Sequence, residues 1–472
     1  MRIVIGGAGR VGTEMARALR AEDMDVVLVD SDSRAVKNAQ NLDVLVIHGD
    51  LTTREKLYEA GIGEAEVFVA TTNSDERNLL ACTLAKHAHN ELSSSKSKTL
   101  LTICRVRDMN FVREQDAGKL QEWAKVDYVV NPLEGAIRRL HSGLRSSAIE
   151  EVIPFGQDAF IIELDVTNKA SDIVFQCLRD ASKQIEGGMP LIVGLKRDGE
   201  KSLVPDGDFM LMPNDRIAIA TTGLSSFNRI LNIFGHEATD FPTEPRVAVI
   251  GANRIGQRIA DDWLEAGASV TVIERDLQLA NMLSGTETGS HPKLEVIHGD
   301  HLDRDILTEI GISEHHMAIA ALEDDLASIA AALLASDMGV QTTGLLLYDA
   351  DLVKVTQRMG ITFAVDRKRV AVDNMLAQIH TKTAGGYAIL SNIPNIIGVS
   401  MLVSSESGYA GKRVLEASFP DWMRIAFIQR LNTNGTWESL RPSLDKTLLE
   451  GDRLIIFCSP ERVVELEKRF KV

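Results

Sequence analysis

The sequence predicts an α/β protein in which two doubly wound parallel-sheet domains follow one another, each with a small α+β module behind it. One observation is that short apolar runs alternate with helical patterns, as in the βαβ units of a parallel sheet. Another is internal repetition: Val46–Asp50 recurs letter for letter as Val296–Asp300, and Gly7–Gly12 aligns with Gly251–Gly256. Together they predict two Rossmann-like domains in tandem.

The composition is that of an acidic globular chain. Of the 472 residues, 44% are apolar and 25% are charged, and 67 Asp plus Glu against 51 Lys plus Arg give a net charge of −16. Nucleic-acid phosphates and anionic lipid repel such a chain, so neither is an expected partner. The four cysteines form no CxxC pair, which disfavours a disulfide scaffold or a metal site and fits a reducing cytosol. We expect no signal peptide and no membrane span.

The strands of the two large domains are predicted from continuous Val, Ile and Leu runs, which are typical of strands buried on both faces. In the first half they are Arg2–Ile5, Val26–Asp30, Val44–His48, Val67–Thr71, Leu100–Val106 and Tyr128–Asn131. In the second half they are Arg246–Ile250, Ser269–Glu274, Leu294–His298, Met317–Ala321, Thr343–Leu347 and Phe363–Asp366. Helical patterns such as Thr13–Ala21 and Asn78–Ala88 connect them.

Each half ends with a smaller module. The tails of the two modules are similar, since Pro205–Ile219 aligns with Pro442–Ile456 without a gap. The predicted elements are strands at Phe160–Val166, Leu191–Lys196, Arg216–Thr221, Val399–Ser404, Arg424–Leu431 and Arg453–Cys458, with a helix near Asp172–Gln184. The predicted boundaries are 1–145 and 146–232 for the first domain and its module, 233–245 for a linker, and 246–385 and 386–472 for the second pair.

The motif Gly7-x-Gly9-x-x-Gly12 follows a strand and opens a helix. In such a loop the first glycine permits a tight turn, the second lets the backbone approach a pyrophosphate, and the third lets the helix pack on the strand. The helix N-terminus then faces the phosphates. Asp30 ends the next strand, where a carboxylate accepts hydrogen bonds from both ribose hydroxyls. We therefore expect NADH rather than NADPH; ATP, ADP or AMP would also fit.

Other residues of the two loops leave alternatives open. Arg10 could contact a phosphate or simply be exposed. Asp50 and Asp300 could cap a turn or face an adenine, and the pattern slightly favours the ligand. In the second loop Asn253 replaces the middle glycine, and its Cβ obstructs a pyrophosphate, although Glu274 could still hold a ribose.

Several catalytic signatures are missing. The sequence contains no Gly-x4-Gly-Lys-Ser/Thr loop, no Tyr-x3-Lys pair and no His-Glu-x2-His motif. A dehydrogenase also needs a second domain with a positioned acid or base, and the small modules offer no convincing candidate. Tandem nucleotide domains with small modules are better explained as a ligand sensor, which requires differential contacts rather than catalysis.

The motif Gly7-x-Gly9-Arg10-Val11-Gly12, Asp30, His48-Gly49-Asp50 and Thr72-Asn73-Ser74-Asp75-Glu76-x-Asn78 together resemble the RCK (KTN) domain family, which regulates potassium channels and transporters. Two such domains, each followed by an RCK C-terminal module, are similar along nearly the whole chain to the regulatory subunits of Trk-type potassium-uptake systems. The resemblance implies a ring, dimeric or tetrameric, on the cytosolic face of a membrane potassium transporter. It also implies binding of NAD(H) or of adenine nucleotides such as ATP and ADP.

The resemblance also implies which residues bind the ligand. In the first half they are Gly7, Gly9, Arg10, Val11 and Gly12 at the phosphates, Asp30 at the ribose, Asp50 and Leu51 at the adenine, Thr72, Asn73, Asp75 and Asn78 along the wall, and Arg105 at the far side. In the second half they are Gly251, Asn253, Arg254, Gly256, Glu274 and Asp300. There Leu322, Ser328 and Leu346 replace Thr72, Asn78 and Arg105, so this half could instead serve assembly.

The helix from Leu133 to about residue 145 is expected to lead to a partner subunit in that family, although it could also be the last helix of its own domain. The predicted function is thus a non-enzymatic, cytoplasmic regulatory subunit, peripheral to the inner face of the membrane, that gates potassium uptake in response to a nucleotide. The alternatives are an NAD-dependent oxidoreductase of tandem Rossmann design and a nucleotide-binding scaffold for another transporter.

Overall fold

The computed structural model describes residues 1–21, 24–92, 99–144, 146–155, 158–237, 242–379, 386–390, 392–432 and 437–470. The chain forms two compact units. One comprises Met1–Gly135 with Arg367–Ala388, and the other comprises Ala136–Asp366 with Ile389–Val472. Three parts of the predicted boundaries lie outside the described residues: residue 145, residues 238–241 of the predicted linker, and residues 380–385.

The first large domain is a six-stranded parallel sheet of order β3-β2-β1-β4-β5-β6. Its strands are β1 Arg2–Gly6, β2 Asp25–Asp30, β3 Leu45–His48, β4 Val67–Ala70, β5 Leu101–Arg105 and β6 Tyr128–Val130. The helices are α1 Arg10–Ala21, α2 Ser33–Ala39, α3 Arg54–Glu59, α4 Asp75–Leu92, α5 Met109–Asp116, α6 Lys119–Trp123 and α7 Pro132–Gly143, with a 3₁₀ turn at Ile62–Glu64. The strand order reverses between β1 and β4, which opens a crevice at the carboxyl ends of these strands.

The small module that follows is an antiparallel sheet of order β7-β8-β10-β9. Its elements are β7 Glu151–Pro154, β8 Ala159–Asp165, α8 Leu178–Gln184, β9 Leu191–Lys196, β10 Arg216–Thr222 and α9 Ser226–Ile233. The helix predicted near Asp172–Gln184 was placed too early. Phe175 adopts a positive φ of 62°, which an α-helix cannot contain, so α8 begins only at Leu178.

The second large domain repeats the first with the sheet order β13-β12-β11-β14-β15-β16. Its strands are β11 Arg246–Ile250, β12 Ser269–Glu274, β13 Leu294–His298, β14 Met317–Ala320, β15 Thr342–Leu347 and β16 Phe363–Asp366. The helices are α10 Arg254–Glu265, α11 Leu277–Ser284, α12 Arg304–Glu309, α13 Asp325–Asp337, α14 Ala350–Arg358 and α15 Arg367–Ile379, with 3₁₀ turns at Thr288–Ser290 and Ile312–Glu314.

The second small module has the sheet order β17-β18-β21-β19-β20. Its elements are β17 Gly386–Ile389, β18 Ile397–Leu402, β19 Arg424–Leu431, β20 Trp437–Leu440, β21 Arg453–Cys458 and α16 Val463–Phe470, with 3₁₀ turns at Ser405–Ser407, Val414–Ala417 and Pro460–Arg462. The predicted fold class is therefore confirmed: two parallel six-stranded sheets in tandem, each accompanied by a small antiparallel sheet. The sequence analysis missed β7, β17 and β20, which are four residues long each.

The last helix of each large domain does not cover the sheet that precedes it. In the first unit α15 packs along α1, and Met375 and Ile379, both 0% exposed, join the core formed around Ile3 and Leu19. In the second unit the C-terminal half of α7 packs on the second domain, where the ring of His141 lies 4.1 Å from that of Trp263. The resemblance implies that α7 leads to a partner subunit. In this chain α7 and α15 instead each pack on the other half of the same chain. Within the described residues, no helix combines the length and apolarity that crossing a bilayer requires.

Candidate functional site

The glycine-rich loop between β1 and α1 is shaped by two of its three glycines. Gly7 has a φ of 111°, and a methyl group there would lie only 2.8 Å from the hydroxyl oxygen of Thr71. A methyl group at Gly12 would overlap the carbonyl oxygen of Gly7, so this position lets α1 approach the loop. Gly9 differs from both, because a methyl group there would meet no atom within 4 Å. Only Gly9 therefore keeps space free for something outside the chain.

Asp30, at the end of β2, holds this loop in place through hydrogen bonds. Its Oδ2 accepts a hydrogen bond of 2.6 Å from the backbone N–H of Ala8, and its Oδ1 accepts one of 2.8 Å from Asp32. Each carboxylate oxygen retains a lone pair for a further donor. Asp30 can therefore position the loop and bind a ribose hydroxyl at the same time.

Asp50, after β3, lies at the adjacent corner of the crevice and is bound from two directions. It accepts hydrogen bonds from the backbone N–H of Thr52 (2.9 Å) and from its hydroxyl (2.8 Å), and it forms an ion pair of 3.0 Å with Arg77 of α4. The Thr52 amide, with smaller contributions from its hydroxyl and from Arg77, outweighs burial and lowers the pKa of Asp50. Asp50 is thus a carboxylate at neutral pH. Its neighbour Leu51 is 2% exposed and belongs to the core.

The opposite wall is held together by Asn78 on α4. Its Oδ1 accepts hydrogen bonds from the N–H (2.9 Å) and the hydroxyl (2.6 Å) of Thr72, and its Nδ2 donates to the carbonyl oxygens of Thr72 (3.1 Å) and Arg105 (2.9 Å). Asp75 supports the same wall, since its Oδ2 accepts from the backbone N–H of Arg107 and Asp108 at 2.8 and 2.9 Å. Asn78 is fully buried, so these two side chains position the wall.

The structure brings the predicted residues of the first half together at one edge of the sheet, at the carboxyl ends of β1 to β5. Arg10 is exposed at the first residue of α1, whereas Val11 is 8% exposed and can offer the crevice only its backbone. Sequence reasoning missed Thr71, whose hydroxyl donates to the carbonyl oxygens of Gly6 and Gly7 at 3.2 Å. It also missed two basic residues, Arg77 and Arg107, which lie beside predicted site residues in the sequence. Arg107 donates a hydrogen bond of 2.9 Å to the side chain of Asn73.

The second crevice has the same turn, helix packing and strand-end acid as the first, but it lacks the open space that the first has at Gly9. Gly251 has a φ of 109°, a methyl group at Gly256 would overlap its carbonyl oxygen, and Glu274 accepts hydrogen bonds from Ala252 (2.6 Å) and Asp276 (2.8 Å). Asn253 takes the place of Gly9 and caps α10 with its own side chain. Asp300 accepts a hydrogen bond of 3.0 Å from Leu302, and Arg254 is exposed at the first residue of α10.

Neither crevice contains a cluster suited to a metal ion. Among the residues that the structure describes, no three His, Cys, Asp or Glu side chains come close enough together to form a metal site. The first crevice places the N-terminus of α1 beside the carboxyl groups of Asp30 and Asp50, with Arg10 and Arg77 nearby. In Rossmann-like domains a helix N-terminus and a strand-end carboxylate in this arrangement are typical of a site for a phosphate and a ribose.

Comparison with known proteins identifies the family of the two large domains. A sequence model of the TrkA-N domain matches residues 3–132 and 247–366, which correspond to the two large domains and make up more than half of the chain. The Trk system potassium uptake protein TrkA of Azorhizobium caulinodans is 25% identical over 100% of this chain and 99% of its own length. The TrkA protein of Haemophilus influenzae is 26% identical with the same coverage, and a TrkA homologue of Archaeoglobus fulgidus is 26% identical over the full length of both chains.

Solved structures with the same fold include the GsuK channel bound to NAD. It superposes with a TM-score of 0.56 at 18% sequence identity, covering 100% of this chain and 79% of that one. The crystal structure of the GsuK RCK domain gives a TM-score of 0.53 at 18% identity and covers 95% of that chain. At this identity the likeness concerns the fold, namely two Rossmann-like domains with their small modules.

Proposed function

Because the chain belongs to the TrkA-N domain family, we propose that it is a nucleotide-sensing regulatory subunit of a membrane potassium-uptake transporter. The observation that carries the proposal is the first crevice, where Gly9 leaves room for a phosphate at the N-terminus of α1 beside the fixed carboxylate of Asp30. Relatives named Trk system potassium uptake protein match the chain along its whole length. The similar GsuK channel was solved with NAD bound.

The proposed ligand is NAD(H), with ATP and ADP as further candidates. The phosphates lie over Gly9 and the first turn of α1, Arg10 reaches them from the start of that helix, and Asp30 accepts hydrogen bonds from the ribose. Asp50 faces the adenine. The wall formed by Thr72, Asn73, Asp75, Asn78 and Arg105 contacts the distal part of the ligand. Leu51 supports the adenine end of the site from the apolar core, and Val11 contributes its backbone N–H to the phosphates.

We further propose that the protein acts by binding and not by catalysis. Hydrogen bonds from the Thr52 amide, and less strongly from its hydroxyl and from Arg77, lower the pKa of Asp50 and stabilise its charged form. A group that must accept and release protons during turnover needs a pKa near the working pH, and these contacts oppose it. A sensor needs only that the ligand bind one conformation better than another.

The proposed partner is a potassium-transporting membrane protein on the cytoplasmic side, contacted through protein surfaces. The net charge of −16 disfavours direct docking on anionic lipid. We also propose a homo-oligomeric ring, dimeric or tetrameric. A shift between two states requires about 5.5 kcal/mol of differential binding, whereas one site with tens-fold preference supplies roughly 2 kcal/mol, so several subunits must act together.

Calorimetric titration of the full chain with NADH, NAD and ATP tests the proposal, together with the variant Gly9→Ala. A methyl group at Gly9 meets no atom of the protein, so the variant should fold normally while obstructing the pyrophosphate. We expect its NADH affinity to fall at least about tenfold, a change of about 1.4 kcal/mol. The matched control is Gly285→Ala, a helix C-cap with φ −82° and only ordinary contacts around it.

Three results would contradict the proposal. Absence of nucleotide binding by the unmodified chain would remove the sensor function. Equal binding by Gly9→Ala would place the nucleotide elsewhere. Loss of NADH absorbance on incubation with candidate carbonyl compounds would instead favour an oxidoreductase.

A further inference from the structure

Asn253 places its own side chain where the first crevice leaves an opening. Its Oδ1 accepts hydrogen bonds from the backbone N–H of Ile255 (2.8 Å) and Gly256 (3.1 Å), the first-turn donors of α10. Its Nδ2 donates a hydrogen bond of 2.6 Å to the carbonyl oxygen of Ala321. One amide therefore caps the helix and ties the loop to the end of β14. These are the N–H groups on which a Rossmann-like domain places a phosphate.

Leu322 fills the adjacent space. Its Cδ2 lies 3.0 Å from the point where a methyl group on Gly251 would be, on the side of the loop where the first domain has Thr72. The Thr72 side chain is polar and its hydroxyl bonds to Asn78, whereas Leu322 has only methyl groups. A pyrophosphate entering this crevice would have to displace the Asn253 amide and lose its hydration against an apolar side chain.

The retained glycines and the acid of the second crevice do not argue against closure, because their contacts are internal. Glu274 accepts the two backbone N–H groups equivalent to those that Asp30 accepts and is 8% exposed, so it positions the loop whether or not a ribose is bound. Gly251 and Gly256 are required by the turn and by helix packing. These residues thus explain why the sequence motif persists without a ligand.

We propose that Asn253 occupies the position of the phosphate in the second crevice, so that each chain binds one dinucleotide, in the first crevice alone. The proposal rests on the proposed function for the identity of the ligand, but its geometry is independent of it. Glycine is itself tolerated at the N-cap position, so replacing an Asn N-cap with Gly costs a helix little. The cap is therefore removable without unfolding the domain.

The test is the stoichiometry of NADH binding to the full chain by calorimetry. We expect one site per chain in the unmodified protein and two in the double variant Asn253→Gly, Leu322→Thr, which copies the first crevice at both positions. The matched control is Asn253→Asp, which preserves the cap and adds a negative charge, and should keep one site. Two sites in the unmodified chain, or one in the double variant, would overturn the proposal.

The same variants separate this proposal from the proposed function. Combined with Gly9→Ala, the double variant should retain a single site, located in the second crevice. If the unmodified chain binds no nucleotide, the proposed function fails. In that case one new site in the double variant would still support closure by Asn253, and none would overturn it.

Discussion

Asp30 shows how a single residue can both build a site and select its ligand. Because the amides of Ala8 and Asp32 hold both carboxylate oxygens, the side chain cannot rotate away from an incoming group. In the proposed site a ribose 2′-hydroxyl would donate a hydrogen bond to this carboxylate, whereas a 2′-phosphate would meet a fixed negative charge. We therefore expect this carboxylate to favour NADH over NADPH.

We predict that NADH binds at least about tenfold more tightly than NADPH, corresponding to about 1.4 kcal/mol of lost hydrogen bonds and added repulsion. Parallel calorimetric titrations of the two cofactors measure this difference. In Asp30→Asn the difference in affinity between NADH and NADPH should shrink, because the negative charge is removed while the amide oxygen can still accept a hydrogen bond from one backbone N–H of the loop. Equal affinities of the unmodified chain for both cofactors would refute this role of Asp30.

At this scale the sequence predicted the roles that depend on local backbone, such as the turn at Gly7, the close packing at Gly12 and the acid that ends β2. It could not show that Gly9 alone faces open space, since this depends on β4 being the neighbour of β1. It also missed Arg77, because the reach of an arginine from α4 to Asp50 depends on the distance between two elements far apart in sequence.

Among the elements, α4 connects the crevice wall to the core. Its first turn carries Asp75 and Asn78, and its buried face packs on β4 and β5. The sequence predicted this helix from Asn78 onwards, yet it begins at Asp75, because Asp75 and Glu76 favour the positive end of the helix dipole. The helical repeat alone therefore located the apolar face but not the first turn, which contains the site residues.

We predict that Asn78→Ala loosens the wall, because four hydrogen bonds to Thr72 and to the Arg105 carbonyl are lost in a buried place. The free energy required to expose the amides of β5, measured by hydrogen exchange, should fall by about 2 kcal/mol, and NADH affinity should fall with it. Asn78→Ser should lose less, since Ser328 in the second half accepts from the N–H of Leu322 at 3.2 Å. Asn90→Ala, at an exposed position of α4, is the control; an equal loss there would contradict this role.

For the whole molecule, internal repetition was sufficient to predict two large domains and two modules, because each repeat carries its own periodicity. It could not predict that α15 packs with α1, a contact between residues more than three hundred positions apart. Nothing in the pattern of either helix distinguishes one Rossmann-like partner from another, since both sheets present aliphatic surfaces. The predicted domain boundaries remain predictions.

Within the second unit the two small modules share a buried carboxyl group. Glu163 on β8 is 0% exposed, and its Oε2 accepts hydrogen bonds from the backbone N–H (3.0 Å) and the Nδ2 (2.8 Å) of Asn392, in the segment leading to β18. Its Oε1 is buried and has no hydrogen-bond partner among the described residues. Burial, together with the charges of Glu151 and Glu150, raises its pKa to about 7, although Asn392 opposes the shift.

The groups around Glu163 carry more negative than positive charge. Glu151 is its register partner on β7 and pairs with Arg139 of α7 at 3.2 Å. Arg216 on β10 forms ion pairs with Glu150 at 2.9 Å and with Asp165 at 3.0 Å. Three carboxyl groups thus pair with two arginines, and Glu163 adds a fourth acidic group beside them. A proton on Glu163 reduces this excess and removes the cost of burying its charge.

We therefore predict that docking of the two modules weakens as pH rises. The folded pKa of Glu163, about 7, exceeds the ordinary value of 4.5, so its stabilising contribution is complete below pH 4.5 and lost as pH rises through 7. The loss between pH 5 and 8 should be about 2 to 3 kcal/mol, from 1.36 kcal/mol per pKa unit. Hydrogen exchange of the β18 amides, corrected for intrinsic rates, measures this loss of docking free energy.

In Glu163→Gln, which cannot ionise, this pH dependence should disappear, whereas Glu406→Gln, an exposed control, should retain it. The same pH dependence in Glu163→Gln would show that another group is responsible.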